Sequence, residues 1–420
     1  MSSINLLLFF FFFFVHGQYF LPSSSTSTSL VGINYGLVAD NLPSPSTVPP
    51  LLRSLGVGRI RLYDADPNVL RSFANTGVEF VIGLPDRCIL KAAADPSFSP
   101  AWIKSNVQSY LPATKIVAIT VGNEVLTNND TAYARSLLPA IDSLHSALAS
   151  LGLDRQVVVT TAHSVAILSS SYPPSSGRFR AELLPLLCPL LSFHARTGSP
   201  FLINAYPFFA YKSDPKRISL DYALFQPNDG VLDPATGFNY DNMLFAQVDA
   251  VYSAMRAAGG AARGVEVRVS ETGWPSGGDP DEVGATPENA AKYNGNLMKL
   301  VAANKGTPMA PKTPLRVYVF ALFNENMKPG PASERNYGLF KPDGSPAYKL
   351  DVDFPQDNST TPAGSGGGGS GSGGGGDSSG NATNPDYYSI SAALPVWEWQ
   401  KGGTMVGMGV LLLFFTCCLI

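Results

Sequence analysis

Eight short runs rich in Val, Ile and Leu recur between residues 30 and 324, each closed by a polar or turn-forming residue: 30–36, 59–64, 79–84, 116–124, 156–163, 201–206, 266–271 and 315–324. Runs of this length and composition read as strands. Between them lie segments with apolar residues at three- to four-residue spacing, clearest over 131–151, 240–258 and 286–304. The last begins Thr286-Pro287-Glu288, a capping residue followed by a proline suited to the first helical position. Strands that alternate with helices need crossover connections, and crossovers make parallel pairs. Eight such units predict an α/β fold of one catalytic domain over residues 30–355, a (β/α)8 TIM barrel. A doubly wound open sheet is the runner-up, but Gly32-Ile33-Asn34-Tyr35-Gly36 is not the glycine-rich phosphate turn that such a sheet carries after its first strand.

A parallel barrel presents its chemistry at the C-terminal ends of its strands. Two glutamates stand there: the fourth run ends Thr120-Val121-Gly122-Asn123-Glu124, and the seventh leads into Val269-Ser270-Glu271-Thr272-Gly273-Trp274-Pro275. Side chains alternate along a strand, so Thr120, Gly122 and Glu124 share one face, as do Val267, Val269 and Glu271. Both glutamates can therefore point to the barrel axis. Asn123 has the opposite parity and enters the cleft only if the strand ends or bulges there. Two carboxylates facing each other are the minimal equipment for cleaving a glycosidic bond. Other polar strand ends converge on the same rim: Tyr35, Tyr63, Asp64, His163, Tyr206, Asn324 and Glu325.

Composition narrows the class. A net charge of −3 with 15% charged residues leaves no basic footprint for nucleic acid. The histidines His16, His145, His163 and His194 show no ligand spacing, so no metal and no cofactor are expected. A Ser/His/Asp hydrolase is set aside because no Gly-x-Ser-x-Gly elbow occurs. Cys417 and Cys418 fall in an apolar tail, and the sequence does not say whether Cys88 and Cys188 meet.

Both ends read as processing signals. Residues 6–15 are an unbroken run of Leu, Phe and Val, too short to cross a bilayer, and residues 1–17 read as a secretory signal peptide. Residues 405–420 are apolar with no basic residue after Lys401, preceded by a polar spacer and the small triplet Ser391-Ala392-Ala393. That pattern predicts a GPI anchor attached at Ser391, with residues 392–420 removed, although Ser378, Ser379 and Asn381 are also small. Residues 356–391 read as a linker, almost wholly Gly and Ser over 361–380, which cannot bury apolar surface and behaves as a tether. Asn129, Asn358 and Asn381 begin N-glycosylation sequons. The protein is expected to be a monomer held by its lipid at the outer face of the plasma membrane, against the cell wall.

The chain resembles plant endo-β-1,3-glucanases of glycoside hydrolase family 17. The resemblance is carried by Gly32-Ile33-Asn34-Tyr35-Gly36, Arg61-Leu62-Tyr63-Asp64, Val121-Gly122-Asn123-Glu124, Asn204-Ala205-Tyr206-Pro207-Phe208, Asp221-Tyr222-Ala223-Leu224-Phe225, the segment from Val269 to Pro275, and Asn336-Tyr337-Gly338-Leu339-Phe340. It implies retaining endo-hydrolysis of (1→3)-β-D-glucosidic linkages in callose or fungal wall glucan, with Glu124 as general acid/base and Glu271 as nucleophile. It further implies that Tyr206 donates to Glu271, that Asn123 bonds the sugar 2-hydroxyl, and that Glu325, Lys328 and Glu334 border the site. The bland reading of the last three is a surface ion pair. Tyr35 is assigned to the substrate. Phe209 and Trp274 are chosen for ring stacking from a set that includes Phe208 and Tyr211, although most barrel aromatics are core. The long connection over 207–239 is expected to wall the cleft. No cysteine lies between Cys188 and Cys417, so the cysteine-rich callose-binding module of many anchored relatives is missing. A β-1,3-1,4-glucanase, a glucan transglucosylase and a non-catalytic glucan-binding protein are the alternatives, the last disfavoured by the presence of both glutamates.

Overall fold

Each β-branched run forms a strand: β1 Val31–Asn34, β2 Arg59–Arg61, β3 Glu79–Leu84, β4 Lys115–Asn123, β5 Val158–Ser164, β6 Phe201–Asn204, β7 Val267–Thr272 and β8 Val317–Val319. The structure is a computed structural model that describes residues 30–350 apart from residues 129, 260, 261 and 263. The eight strands close into a barrel, each parallel to both neighbours and β1 pairing with β8. The last strand is shorter than its apolar run. Beyond Val319 the run stays bonded to its neighbours, the Phe320 amide donating to the Thr272 carbonyl and the Leu322 amide to that of Asn34, while Ala321 and Leu322 also pair with a returning segment through Tyr337, Leu339 and Phe340.

Alternation divides the strand residues between two environments. Ile33, Ile60, Phe80, Ile82, Ile119 and Ile203 are fully buried in one large cluster with helix residues such as Leu137, Ile141, Leu144 and Leu297. Each such burial contributes roughly 1.5–3 kcal/mol, so the shell between strands and helices is where the fold gains most. Among the described residues, a small separate apolar cluster of Val81, Ala118 and Tyr318 lies in the barrel interior. Gly32 is what lets the Tyr318 ring lie across it, since a Cβ there would sit 2.4 Å from that ring. Below, Arg59 lies 5.0 Å from the Tyr318 ring centroid and pairs with Glu79, which also takes Lys115 at 2.9 Å. The upper interior is left to polar side chains.

Three long helices start at the caps the sequence offers. Asp130 accepts from the Ala132 and Tyr133 amides to begin α1 Thr131–Ser150. The connection over 207–239 holds a short helix, α2 Pro207–Ser213, and then a hairpin of Val231–Leu232 with Asn239–Tyr240. Asn242 caps α3 Met243–Ala257, and Thr286 caps α4 Pro287–Ala302 with Pro287 in its first turn. A second hairpin, Leu168–Ser170 with Arg178–Phe179, follows β5. Asp233 ties the two hairpins, accepting from the Ser175 amide at 2.7 Å and hydroxyl at 2.8 Å. Both hairpins follow strand ends and so belong to the C-terminal face.

Cys88 and Cys188 form no disulfide with each other. Among the described residues no helix is long and apolar enough to cross a membrane. The leader over 1–17, the linker over 356–391, the propeptide over 392–420, Ser391 and the sequon residues Asn129, Asn358 and Asn381 lie outside the described residues.

Candidate active site

Two strand tips depart from simple alternation, and both departures serve the glutamates. The pairing of β4 with β5 shifts register between Thr120 and Asn123. Gly122 has φ +63, and a Cβ there would lie 2.5 Å from Val125 Cγ2 and 2.8 Å from Asp86 Oδ1. Glu124 itself is left-handed at φ 56, a conformation that a non-glycine residue holds only when its surroundings impose it. Asp86 Oδ1 accepts the Asn123 amide at 3.0 Å and fixes this coil. The result brings Asn123 and Glu124 into the cleft together. On β7 the register shifts between Val269 and Glu271, so Ser270 and Glu271 both reach the interior while Val269 joins the outer core. The expected shared faces of Thr120, Gly122 and Glu124, and of Val267, Val269 and Glu271, are corrected by these two irregularities.

Glu271 receives only donors. Arg61 Nη1 and the Tyr63 hydroxyl each donate to Oε1 at 2.7 Å, and the Tyr206 hydroxyl donates to Oε2 at 2.9 Å. The Arg61 guanidinium is buried and also donates to Asn123 Oδ1 at 2.8 Å. Burial and the Glu271 charge hold the Tyr63 and Tyr206 hydroxyls protonated, well above the ordinary tyrosine value. Glu124 meets a different set. Asn204 Nδ2 donates to its Oε1 at 2.8 Å, and Ser270 Oγ donates to Asn204 Oδ1 at 2.7 Å, which turns the amide nitrogen toward Glu124. Burial first, then the Glu271 charge, push the Glu124 carboxyl up to about 8, against the opposing pull of Asn204 and Arg61. Glu124 and Glu271 are 3% and 5% exposed. One buried carboxyl is thus built to keep a proton, and the other is surrounded by hydrogen-bond donors from Arg61, Tyr63 and Tyr206.

A paired acid and carboxylate on strands four and seven of a parallel barrel is a hydrolase arrangement, and the sequence matches glycosyl hydrolases family 17 over residues 31–352. The chain belongs to family 17. It is 54% identical to glucan endo-1,3-beta-glucosidase 10 of Arabidopsis thaliana over 410 residues, 93% of each chain. Glucan endo-1,3-beta-glucosidase 11 of the same plant is 59% identical over 327 residues, 77% of this chain and 76% of that one. Among solved structures, a beta-1,3-glucanase and allergen of Cryptomeria japonica pollen is 39% identical with a TM-score of 0.72, covering 76% of this chain and 98% of that one. A structure of two plant beta-glucan endohydrolases with distinct substrate specificities is 38% identical at a TM-score of 0.70, covering 76% and 100%.

Around this family 17 pair the remaining candidates take different places. Glu325 turns away to accept the Val38 amide at 2.9 Å, seated where a Cβ on Gly36 would come within 2.3 Å of its oxygen. It ties the exit of β8 to that of β1. Lys328 lies 3.6 Å from Glu334 and 4.0 Å from the Phe320 ring centroid, and Phe320 packs edge-on against both Tyr63 and Tyr206. The Lys328 and Glu334 side chains are 18% and 11% exposed, so the surface ion-pair reading does not apply. Burial raises both Glu325 and Glu334, with Lys328 opposing. Phe209 is half-buried with its ring centroid 5.4 Å from that of Tyr206.

Two expected sugar contacts are core instead. Trp274 is fully buried, its indole N–H donating to the Gly284 carbonyl and its ring packed on Phe208 and Tyr293. Tyr35 is 1% exposed and packs edge-on against Phe323. A large ring one strand-end turn from a cleft gains more by filling the rim core than by facing water. His163 stacks on Phe201 at 4.7 Å, and burial pushes its pKa down to about 3.

Sequence reasoning gave no role to Arg61, Asn204, Ser270 or Asp86. Arg61 had a usable signal, since a charged residue inside an apolar run with the parity of Tyr63 must point inward. Asn204 shares parity with Tyr206 in the same way. Among the described residues no cluster of three or more His, Cys, Asp or Glu side chains could hold a metal.

Proposed function

We infer that this family 17 enzyme is a retaining endo-hydrolase of (1→3)-β-D-glucosidic linkages in β-glucans such as callose or fungal wall glucan. The observation that carries the reading is the opposite environment of two adjacent carboxyls: donors converge on Glu271, whereas Glu124 is buried beside that charge. The names of the relatives supply the linkage.

The chemistry follows from the contacts. A glucosyl unit bound across the barrel mouth places its anomeric carbon over Glu271. A Glu271 oxygen attacks that carbon as the glycosidic bond breaks, and the proton of Glu124 passes to the departing oxygen. Asn204 holds Oε1 of Glu124, which leaves Oε2 to carry the proton. A water then gives its proton to the Glu124 carboxylate and attacks the glucosyl ester, which releases the β-anomer and restores both groups. Arg61 and the two tyrosines hold the nucleophile in one orientation before attack, so little rearrangement is needed at the transition state. Asn123 Oδ1 is occupied by Arg61 and Asn204, so its bond to a sugar hydroxyl is made as a donor through the amide nitrogen.

Product profiling tests the specificity. Purified enzyme should release short oligosaccharides from laminarin and leave mixed-linkage glucan largely intact; the reverse preference would contradict the reading. The enzyme works as a monomer at the outer face of the plasma membrane, brought there by the leader over 1–17 and the lipid at Ser391. Its support is the sequence pattern of the two ends. A phosphatidylinositol-specific phospholipase should release activity from membranes, and recovery of residues 405–420 in peptides of the mature protein would contradict the anchor.

A further inference from the structure

The loop that follows β7 carries a buried carboxylate that takes no part in the chemistry described above. Glu282 has a fully buried side chain. Its Oε1 accepts from Lys212 Nζ at 2.8 Å and from the Ser333 hydroxyl at 2.6 Å, and its Oε2 accepts from the Ser333 amide at 2.8 Å and the Asp279 amide at 3.0 Å. Four donors around one carboxylate are close to its full capacity. They come from three separate loops on the active face. Lys212 belongs to α2, after β6; Asp279 lies in Glu282's own loop; Ser333 lies in the loop after β8. Gly278 leaves room for the arrangement, since a Cβ there would lie 2.9 Å from Glu282 Oε2. Burial alone would favour the neutral acid, yet the bonds from Lys212, Ser333 and Asp279 hold the carboxyl down to about 2.

These loops carry side chains that lie close to the catalytic pair. α2 presents Phe209 beside Tyr206, and the residue after Ser333 is Glu334, which faces Lys328. We propose that Glu282 is a positioning residue that locks the loops after β6, β7 and β8 together, setting Phe209 on α2 against the bound glucan chain beyond the cleaved unit. This rests on the functional reading above. A neutral amide at this position keeps the volume but turns one acceptor into an NH2 group facing other donors, so at least two of the four bonds are lost.

The test compares a long and a short substrate. Glu282→Gln should raise KM for laminarihexaose about tenfold while changing kcat and KM for an aryl laminaribioside less than twofold, because only the long chain reaches Phe209. Lys212→Met and Ser333→Ala each remove one arm and should raise KM for the hexaose by a smaller factor, about threefold. These two variants carry the test if Glu282→Gln does not fold. A lower melting temperature with unchanged KM for the hexaose would mean that the cluster only stabilises the fold, and equal losses on both substrates would place its effect on the reacting groups; either overturns the proposal. Wild-type protein that leaves laminarihexaose uncut would overturn the functional reading and this inference with it.

Discussion

Glu124 and Glu271 are the same side chain in neighbouring positions, and their partners separate them. Glu124→Gln removes the proton donor, so turnover of natural glucans should fall by about 10²–10⁴-fold, and far less for substrates whose leaving group needs no proton. The pH profile follows from the same contacts. Glu124 must be protonated to act as acid, so kcat/KM should fall as pH rises through its raised pKa of about 8. Asn204 favours the charged form, so Asn204→Ala should move that alkaline limb to higher pH. A limb that stays in place or moves down would remove Asn204 from the role given to it. The two glutamates are legible in the sequence because a carboxylate at the end of an apolar run on a barrel strand has few structural uses. Arg61 was not legible as their partner, because its bond to Glu271 joins residues 210 positions apart and exists only once the barrel closes.

The strand tips show how little of a site depends on regular structure. Strand positions could be read because each needs an apolar outer face against the helices, and that need writes itself into the sequence. The bulge before Asn123 was legible only as the condition for that residue's entry into the cleft, and the one between Val269 and Glu271 not at all, since a bulge is set by packing across neighbouring strands. Gly122→Ala tests the first of them. Its φ of +63 and the 2.5 Å approach to Val125 Cγ2 leave no room for a Cβ, so the tip of β4 should shift. Stability should fall by about 1–3 kcal/mol, and kcat should fall more than tenfold because Glu124 moves with the backbone. Near-normal kcat would show that the coil at Gly122 does not place the acid. Trp274 failed as a sugar contact for a reason of the same kind: packing against Phe208 and Tyr293 and the bond to the Gly284 carbonyl hold its ring in the core. Phe209 keeps an open side, and Phe209→Ala should weaken cleavage of long oligosaccharides roughly tenfold and short ones less. Equal losses on both, or a collapse in melting temperature, would make Phe209 core.

At the scale of the whole molecule, the fold sets an acid limit and the site an alkaline one. His163 and His194 pack around Phe201 within the core, and burial pushes their pKa values down to about 3 and 4. Their folded values lie below the unfolded one, near 6.5. The stability tied to their neutral forms is therefore present above pH about 6.5 and is lost as pH falls toward the folded values. His163→Phe should flatten the decline of melting temperature between pH 7 and 4, by an amount equivalent to on the order of 3 kcal/mol. An unchanged decline would mean that other groups govern acid unfolding. The barrel that buries these histidines also brings strands four and seven to face each other, and the central claim is that their two glutamates divide the work of a retaining cleavage. Covalent trapping tests it most directly. Incubation with an activated 2-fluoro laminaribioside, followed by peptide mapping by mass spectrometry, should place one 2-fluoro laminaribiosyl adduct on Glu271, with loss of the activated leaving group, and none on Glu124. An adduct on any other residue, or full hydrolysis of laminarin by a protein that the reagent never labels, would contradict the account.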